Sequence, residues 1–326
     1  MNRRSIALAW TLLLLGAAVP GRAQPVDFPT RPVRILVGFA AGGAPDALAR
    51  ILGEKLGQGW PQSVVVENRT GAQGNIAMAA VARAEPDGHT LALVPVGNAS
   101  VNPSLFRELP YDMAKDFAPI TLVATAENVL VVGSGSPART VRDLIALGRA
   151  SPGSLTYATP GAGSLAHLAA ELLARSAGFE MRHVPYRGVS PALTDVLRGE
   201  VSLMIAQLST AKPLIDSGQL RALGVASRER SAVLPEVPTI AEGAALPGFE
   251  AVSWYGLMAP AGTPGPVLAK LGQDANRVLA APEVRAALDG QGMKAAGGTP
   301  DALAALIEAD TARWSKIIRD ANIRPD

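Results

Sequence analysis

Ser164 and His167 stand three residues apart in "TPGAGSLAHL", and a hydroxyl beside an imidazole is the raw material of nucleophilic catalysis. That spacing sets both on one helical turn, whereas a nucleophile of this kind needs a strained elbow, and no G-x-S-x-G occurs in the chain. The histidines, His89, His167 and His183, are not paired at ligand spacing, and there is no cysteine. No Walker pattern occurs, and no G-x-G-x-x-G follows the first strand. No catalytic residues, metal or cofactor are therefore expected.

What recurs instead is an apolar strand-like run that ends in glycines and leads into an amphipathic stretch. Such junctions present backbone N–H groups and the positive end of a helix dipole, the means of holding an anion. Phe39, Ala40, Gly42, Gly43 and Asp46 form the first in "FAAGGAPD", where Asp46 reads as a dipole-compensating cap or as a ligand contact. Gly97, Asn98 and Ala99 form the second, either as an ordinary turn or as hydrogen-bonding groups for a ligand. Thr159, Gly161, Gly163 and Ser164 form the third, with Ser164 at an N-cap position and His167 one turn on. Tyr186 and Arg187 mark the fourth, as a wall and an acid partner or as solvated side chains.

The elements that must position these junctions alternate between strands and helices. Strands are expected at 33–39, 63–68, 89–97 and 128–134, and helices after Asp46, at 75–84 and at 140–150. The theme repeats at 155–178 and returns at 251–264, followed by helical stretches at 265–289 and 299–321. This order predicts an α/β protein with mainly parallel sheets, as two lobes or as one large doubly wound sheet. Ligands in such sheets sit beyond the carboxyl ends of the strands.

Composition narrows the setting. The chain has 326 residues, of which 48% are apolar and 18% charged, a globular balance. "MNRR", the apolar run "SIALAWTLLLLGAAV" and "PGRAQ" read as a signal peptide covering residues 1–23. Its removal takes away Arg3, Arg4 and Arg22 and no acid, so the formal charge of +2 becomes −1. The remaining charge gives no case for nucleic acid or an anionic membrane as partner.

The succession "FPTRPVRILVGFAAGGAPDALAR", "VVVENRTGAQGN", "EPDGHTL", "NPSLFRELPYD", "KDFAPITLVA", "HVPYRGVSPALTDVLRGEV", "LPEVPTIAE" and "WYGLMAPAGTP" resembles the Bug family. These are extracytoplasmic solute receptors of the tripartite tricarboxylate transporter system. The resemblance implies a two-lobed, class II-like periplasmic binding-protein fold with its ligand cleft between the lobes. One lobe would hold 24–124 and 246–326, the other 125–245. It implies a monomeric receptor for a small organic acid, partnered by transporter membrane subunits or by a sensor protein. The family's first loop usually reads F-A-P-G-G-G-T-D; here Ala41, Ala44 and Pro45 depart from it. Where the family often has M-F-D-N, the chain reads Met204-Ile205-Ala206-Gln207, which removes a carboxylate near the cleft but leaves Gln207 as a candidate contact. Trp254 and Tyr255 are family-like and read as packing near the hinge.

The leader reading predicts that the exported chain begins at Gln24. Intact-mass measurement of protein recovered from the periplasm checks it, and a species that retains residues 1–23 counts against it.

Overall fold

The computed structural model describes residues 27–325, so the leader expected at 1–23 lies outside the described residues. β1 (Val33–Val37) is paired in parallel with β2 (Val64–Asn68) on one side and β3 (Thr90–Pro95) on the other. β4 (Phe117–Ala126) leaves this region and passes into β5 (Asn128–Gly133) with only Glu127 between them. There follow β6 (Leu155–Thr159), β7 (Met181–Pro185), β8 (Met204–Gln207) and β9 (Leu220–Val225). The chain then returns as β10 (Ser253–Pro260) and ends its strands with β11 (Met293–Ala295).

Six strands form one sheet in the order β11-β4-β10-β3-β1-β2. The strands between Asn128 and Val225 form the others, β8-β5-β9 and β6-β7. A parallel bridge between Tyr157 and Leu203 sets β6 alongside β8. Hence the chain crosses from the first sheet to the second at Glu127 and comes back before Ser253.

The expectation of mainly parallel sheets is corrected here. β10 runs antiparallel to β3 and β4, β11 antiparallel to β4, and β5 antiparallel to β8 and β9. Strand–helix alternation yields parallel pairs only where each helix carries the chain back over the same sheet. Here β4 passes to β5 of the second sheet without a helix, and β10 re-enters the first between β3 and β4, antiparallel to both. β4 and β11 were also invisible to the alternation: β4 is interrupted by Pro119, Thr121 and Thr125, and β11 has three residues.

The helices follow from capping and apolar spacing. Pro45 sits in the first turn of the helix Ala44–Gly59, where a missing N–H costs nothing, and Leu48, Leu52 and Leu56 turn inward. Thr140 and Asp143 form the expected capping box of the helix Val141–Ala150. Trp60 Nε1 donates to Asp274 Oδ2 at 2.8 Å, and this buried bond ties the end of the first helix to the helix Gly265–Ala280.

One close approach matters for the site. Gly38, just after β1, lies against Gly74, and a Cβ at Gly38 would sit 2.5 Å from Gly74 Cα. Because both sides are backbone, no rotamer change relieves the clash. Gly38→Ala is expected to lower stability by about 1–3 kcal/mol in urea unfolding. An unchanged midpoint would show that the two backbones can part freely.

Candidate ligand-binding cleft

A cavity of about 500 Å³ lies where the two sheets' loops face each other. Phe39, Ala44 and Pro45 reach it from the exit of β1, and Gly97, Asn98 and Asn102 from the exit of β3. Gly161, Gly163, Ser164, Leu165 and Ala166 reach it from the exit of β6, and Met204–Gln207 from β8 itself. Ser253, Trp254 and Tyr255 of β10 and Asn128 at the start of β5 complete the wall. Among the described residues, no Asp, Glu, Lys, Arg or His lines it. Nor does any group of three or more His, Cys, Asp or Glu among them suit a metal ion.

The first loop is held by Asp46, which points back into its own turn. Its Oδ2 accepts from Gly42 N at 2.8 Å and from Arg50 Nε at 3.0 Å, and its Oδ1 accepts from Asn68 Nδ2 at 2.9 Å. The Arg50 guanidinium, with help from Gly42 and Asn68, lowers this carboxyl from 3.8 to about 2. Gly43 N is also occupied, by Ala40 O. The loop is therefore shaped by a buried carboxylate, and its two glycine amides are turned inward to hold that shape.

The turn after β6 is braced from beneath. Thr159 Oγ1 lies 2.6 Å from His183 Nε2 and donates to Gly161 O at 3.1 Å. Gly163 N donates to His167 Nδ1 at 3.1 Å, which fixes that nitrogen as an acceptor. The His167 and His183 rings stack with centroids 3.8 Å apart. Ser164 caps the helix Leu165–Ala177, accepting from His167 N at 3.3 Å and donating to Gly161 O at 2.8 Å. The amides of Leu165 and Ala166 open this helix on the cavity wall, where no intrahelical carbonyl precedes them.

Beyond β3 the backbone makes one π turn, Gly97–Val101, a form that often marks functional positions. Tyr111 Oη donates to Asn98 O at 2.8 Å, and burial pushes its phenol up to about 12. Trp254 Nε1 donates to Asp310 Oδ2 at 2.7 Å, fixing the indole against the C-terminal helix Pro300–Asp320. Burial raises the Asp310 carboxyl above its ordinary value. Among the contacts that join the walls, Gln207 Nε2 donates to Tyr255 Oη at 3.2 Å, Asn128 Nδ2 donates to Ser253 Oγ at 3.2 Å, and Leu105 packs on Gly163. Gly163 has φ +73°, and a Cβ there would collide with the Leu105 side chain.

Of the residues singled out from sequence, Phe39, Gly97, Asn98, Gly161, Gly163, Ser164 and Gln207 meet at the cavity. The others do not line it, each for a local reason. Ala40, Gly42 and Gly43 are exposed in their turn, and Asp46 is its buried clamp. Ala99 turns to the opposite face, where it borders an apolar cavity of about 650 Å³ with Phe117, Met258 and Ile307. Thr159 and His167 lie under the turn they brace. Tyr186 Oη donates to Asp195 Oδ2 at 2.6 Å, and Arg187 is exposed. Sequence reasoning missed Gln73, Asn102, Asn128 and Ser253, and read Trp254 and Tyr255 as packing alone. Asn128 was findable, since it opens β5 just after the crossing between sheets.

Asp46 generates a pH prediction. Its carboxyl is lowered in the folded protein, so its contribution is complete above about pH 4 and disappears as the pH falls through about 2. Allowing for screening of the exposed Arg50, Asp46→Asn is expected to cost about 1–2 kcal/mol at pH 7. Urea unfolding of both proteins at pH 7 and near pH 2 checks this; a difference that persists in acid would contradict it.

Comparison with known proteins places this geometry. A model of the tripartite tricarboxylate transporter family receptor matches residues 48–323. Protein BugT of Bordetella pertussis is 35% identical over 311 residues, 94% of this chain and 95% of BugT. An R. palustris protein solved with adipate is 37% identical with a TM-score of 0.80, over 92% of this chain and all of that one. MatC from Rhodopseudomonas palustris, solved with bound malate, is 34% identical with a TM-score of 0.75, over 89% of this chain and all of MatC. The protein has the two-lobed solute-receptor fold of these neighbours, and the chain belongs to the tripartite tricarboxylate transporter receptor family, the Bug family of periplasmic solute-binding proteins.

Proposed function

We propose that this protein captures a small organic acid between two closing lobes, without transforming it, for uptake of the tripartite tricarboxylate type. The lobes are 24–124 with 246–326, and 125–245. The observation that carries this reading is a 500 Å³ cavity walled by both sheets, free of charged side chains among the described residues, with a capped helix opening onto it. The adipate and malate held by its neighbours are carboxylates of a size that such a cavity admits. The cavity near Ala99 is larger, but Asp112 and Glu308 line it and would repel a carboxylate.

The physics is that of neutral donors. A helix N-terminus stabilises a nearby anion by about 0.3–1 kcal/mol, and by up to ~2 kcal/mol when partly buried. Several such donors in a closed cleft approach the roughly 8 kcal/mol of a micromolar site. Neutral donors also avoid the desolvation cost of burying a fixed cation. The ligand touches both walls only in the closed form, so it shifts the equilibrium toward closure. The mature protein works in the periplasm as a monomer, and its closed form is what the membrane subunits of the transporter meet.

Titration with small mono- and dicarboxylates is expected to show binding with unaltered acid recovered afterwards. Scattering dimensions are expected to shrink on binding. Ser164→Ala and His167→Ala should change affinity and produce no change in turnover, because there is none. Chemically altered acid, or the same dimensions with and without a tightly bound acid, would overturn the reading.

A further inference from the structure

Both hydrogens of the Asn98 side-chain amide turn into the protein. Nδ2 donates to Gln73 O at 2.9 Å and to Asn75 Oδ1 at 3.3 Å. Asn75 Oδ1 also accepts from Asn102 Nδ2 at 2.6 Å. Exchanging N and O in Asn98 would set its oxygen against the backbone carbonyl of Gln73, so the amide has one orientation. Its Oδ1 is then a buried acceptor with no hydrogen-bond partner among the described residues, in a side chain that lines the cavity. Gly74 packs beside it, and a Cβ there would sit 3.0 Å from both amide atoms.

Asn128 repeats the pattern. Its Nδ2 donates to Ala251 O at 2.7 Å and Ser253 Oγ at 3.2 Å, and only its Oδ1 remains to face a ligand. In the β1 loop Gly42 N and Gly43 N are occupied and Pro45 has none, which leaves the Ala44 N–H at the start of its helix on this wall. Backbone donors gather at Leu165 and Ala166, and amide acceptors gather at Asn98 and Asn128. A carboxylate set against Asn98 Oδ1 would bring two acceptors together with no proton between them and no cation nearby.

We propose, resting on the carboxylate-receptor reading above, that the ligand is a monocarboxylate whose other polar end is an uncharged hydrogen-bond donor, a hydroxyl or N–H. Asn98 is the residue that selects it over a dicarboxylate. The single carboxylate lies at the start of the helix Leu165–Ala177, and the donor meets Asn98 Oδ1.

Calorimetric titration of the full mature chain at pH 7.5 tests this with two matched sets. One is butanoate, 4-hydroxybutanoate and succinate; the other is hexanoate, 6-hydroxyhexanoate and adipate. In at least one set the hydroxy acid is expected to bind at least about tenfold more tightly than both its partners. Asn98→Leu is expected to bring the ratio of hydroxy acid to plain acid close to one. If that variant fails to fold, the wild-type ranking alone decides. A dicarboxylate that binds most tightly, or a hydroxy acid equal to its plain acid, overturns the inference and leaves the receptor reading standing. Binding by none of the six overturns both.

Discussion

Everything in the cleft depends on the turn between Thr159 and Ser164 being held in one shape. A backbone N–H stabilises an anion only if it already points at it, since reorienting a peptide after binding would consume what the contact contributes. Four side chains do this work from beneath and beside the turn. Thr159 grips Gly161, His183 grips Thr159, His167 receives Gly163 N–H, and Ser164 closes the cap. Neither His167 nor His183 lines the cavity; His167 braces this turn and Ser164 caps its helix.

The same logic governs the opposite wall. Asp46 looks in the sequence like a ligand contact or a dipole cap, and in the structure it is the clamp that holds Gly42. Placing a full negative charge there, satisfied by Arg50, Asn68 and a backbone N–H, keeps it from facing the cavity. A carboxylate exposed on the wall would repel the ligand class proposed here. Charge is thus used to build the loops and kept out of the space between them.

Much of the fold was legible because its signals are local. Glycine after an apolar run, Thr140 with Asp143, and leucines at 48, 52 and 56 each encode a strand exit, a cap and a buried face within a few residues. Strand direction is not local. Nothing near Ser253 states that β10 will lie between β3 and β4 and run against both, because that depends on how the chain returns from the second sheet. The site divides along the same line. Gly97, Asn98, Gly161 and Ser164 sit at junctions the pattern marks, whereas Asn128, Ser253 and Tyr255 reach the cavity only because two sheets meet. The family resemblance supplied the two-lobed arrangement that periodicity left open.

The contacts between walls set how strongly a ligand must act. Gln207 with Tyr255 is one neutral hydrogen bond, worth about 0.5–1.5 kcal/mol net, and Leu105 on Gly163 is a single apolar contact. Moving a two-state equilibrium from 1:99 to 99:1 takes about 5.5 kcal/mol of differential affinity. On the reading proposed above, the ligand supplies such differential affinity through its own contacts with both walls. An acid that satisfies the Leu165 and Ala166 amides on one side and Asn98 on the other supplies contacts that exist only when the walls are together. Selectivity and closure are then one event: a solute that leaves Asn98 Oδ1 unmatched loses affinity through the same missing contact that would have drawn the walls shut.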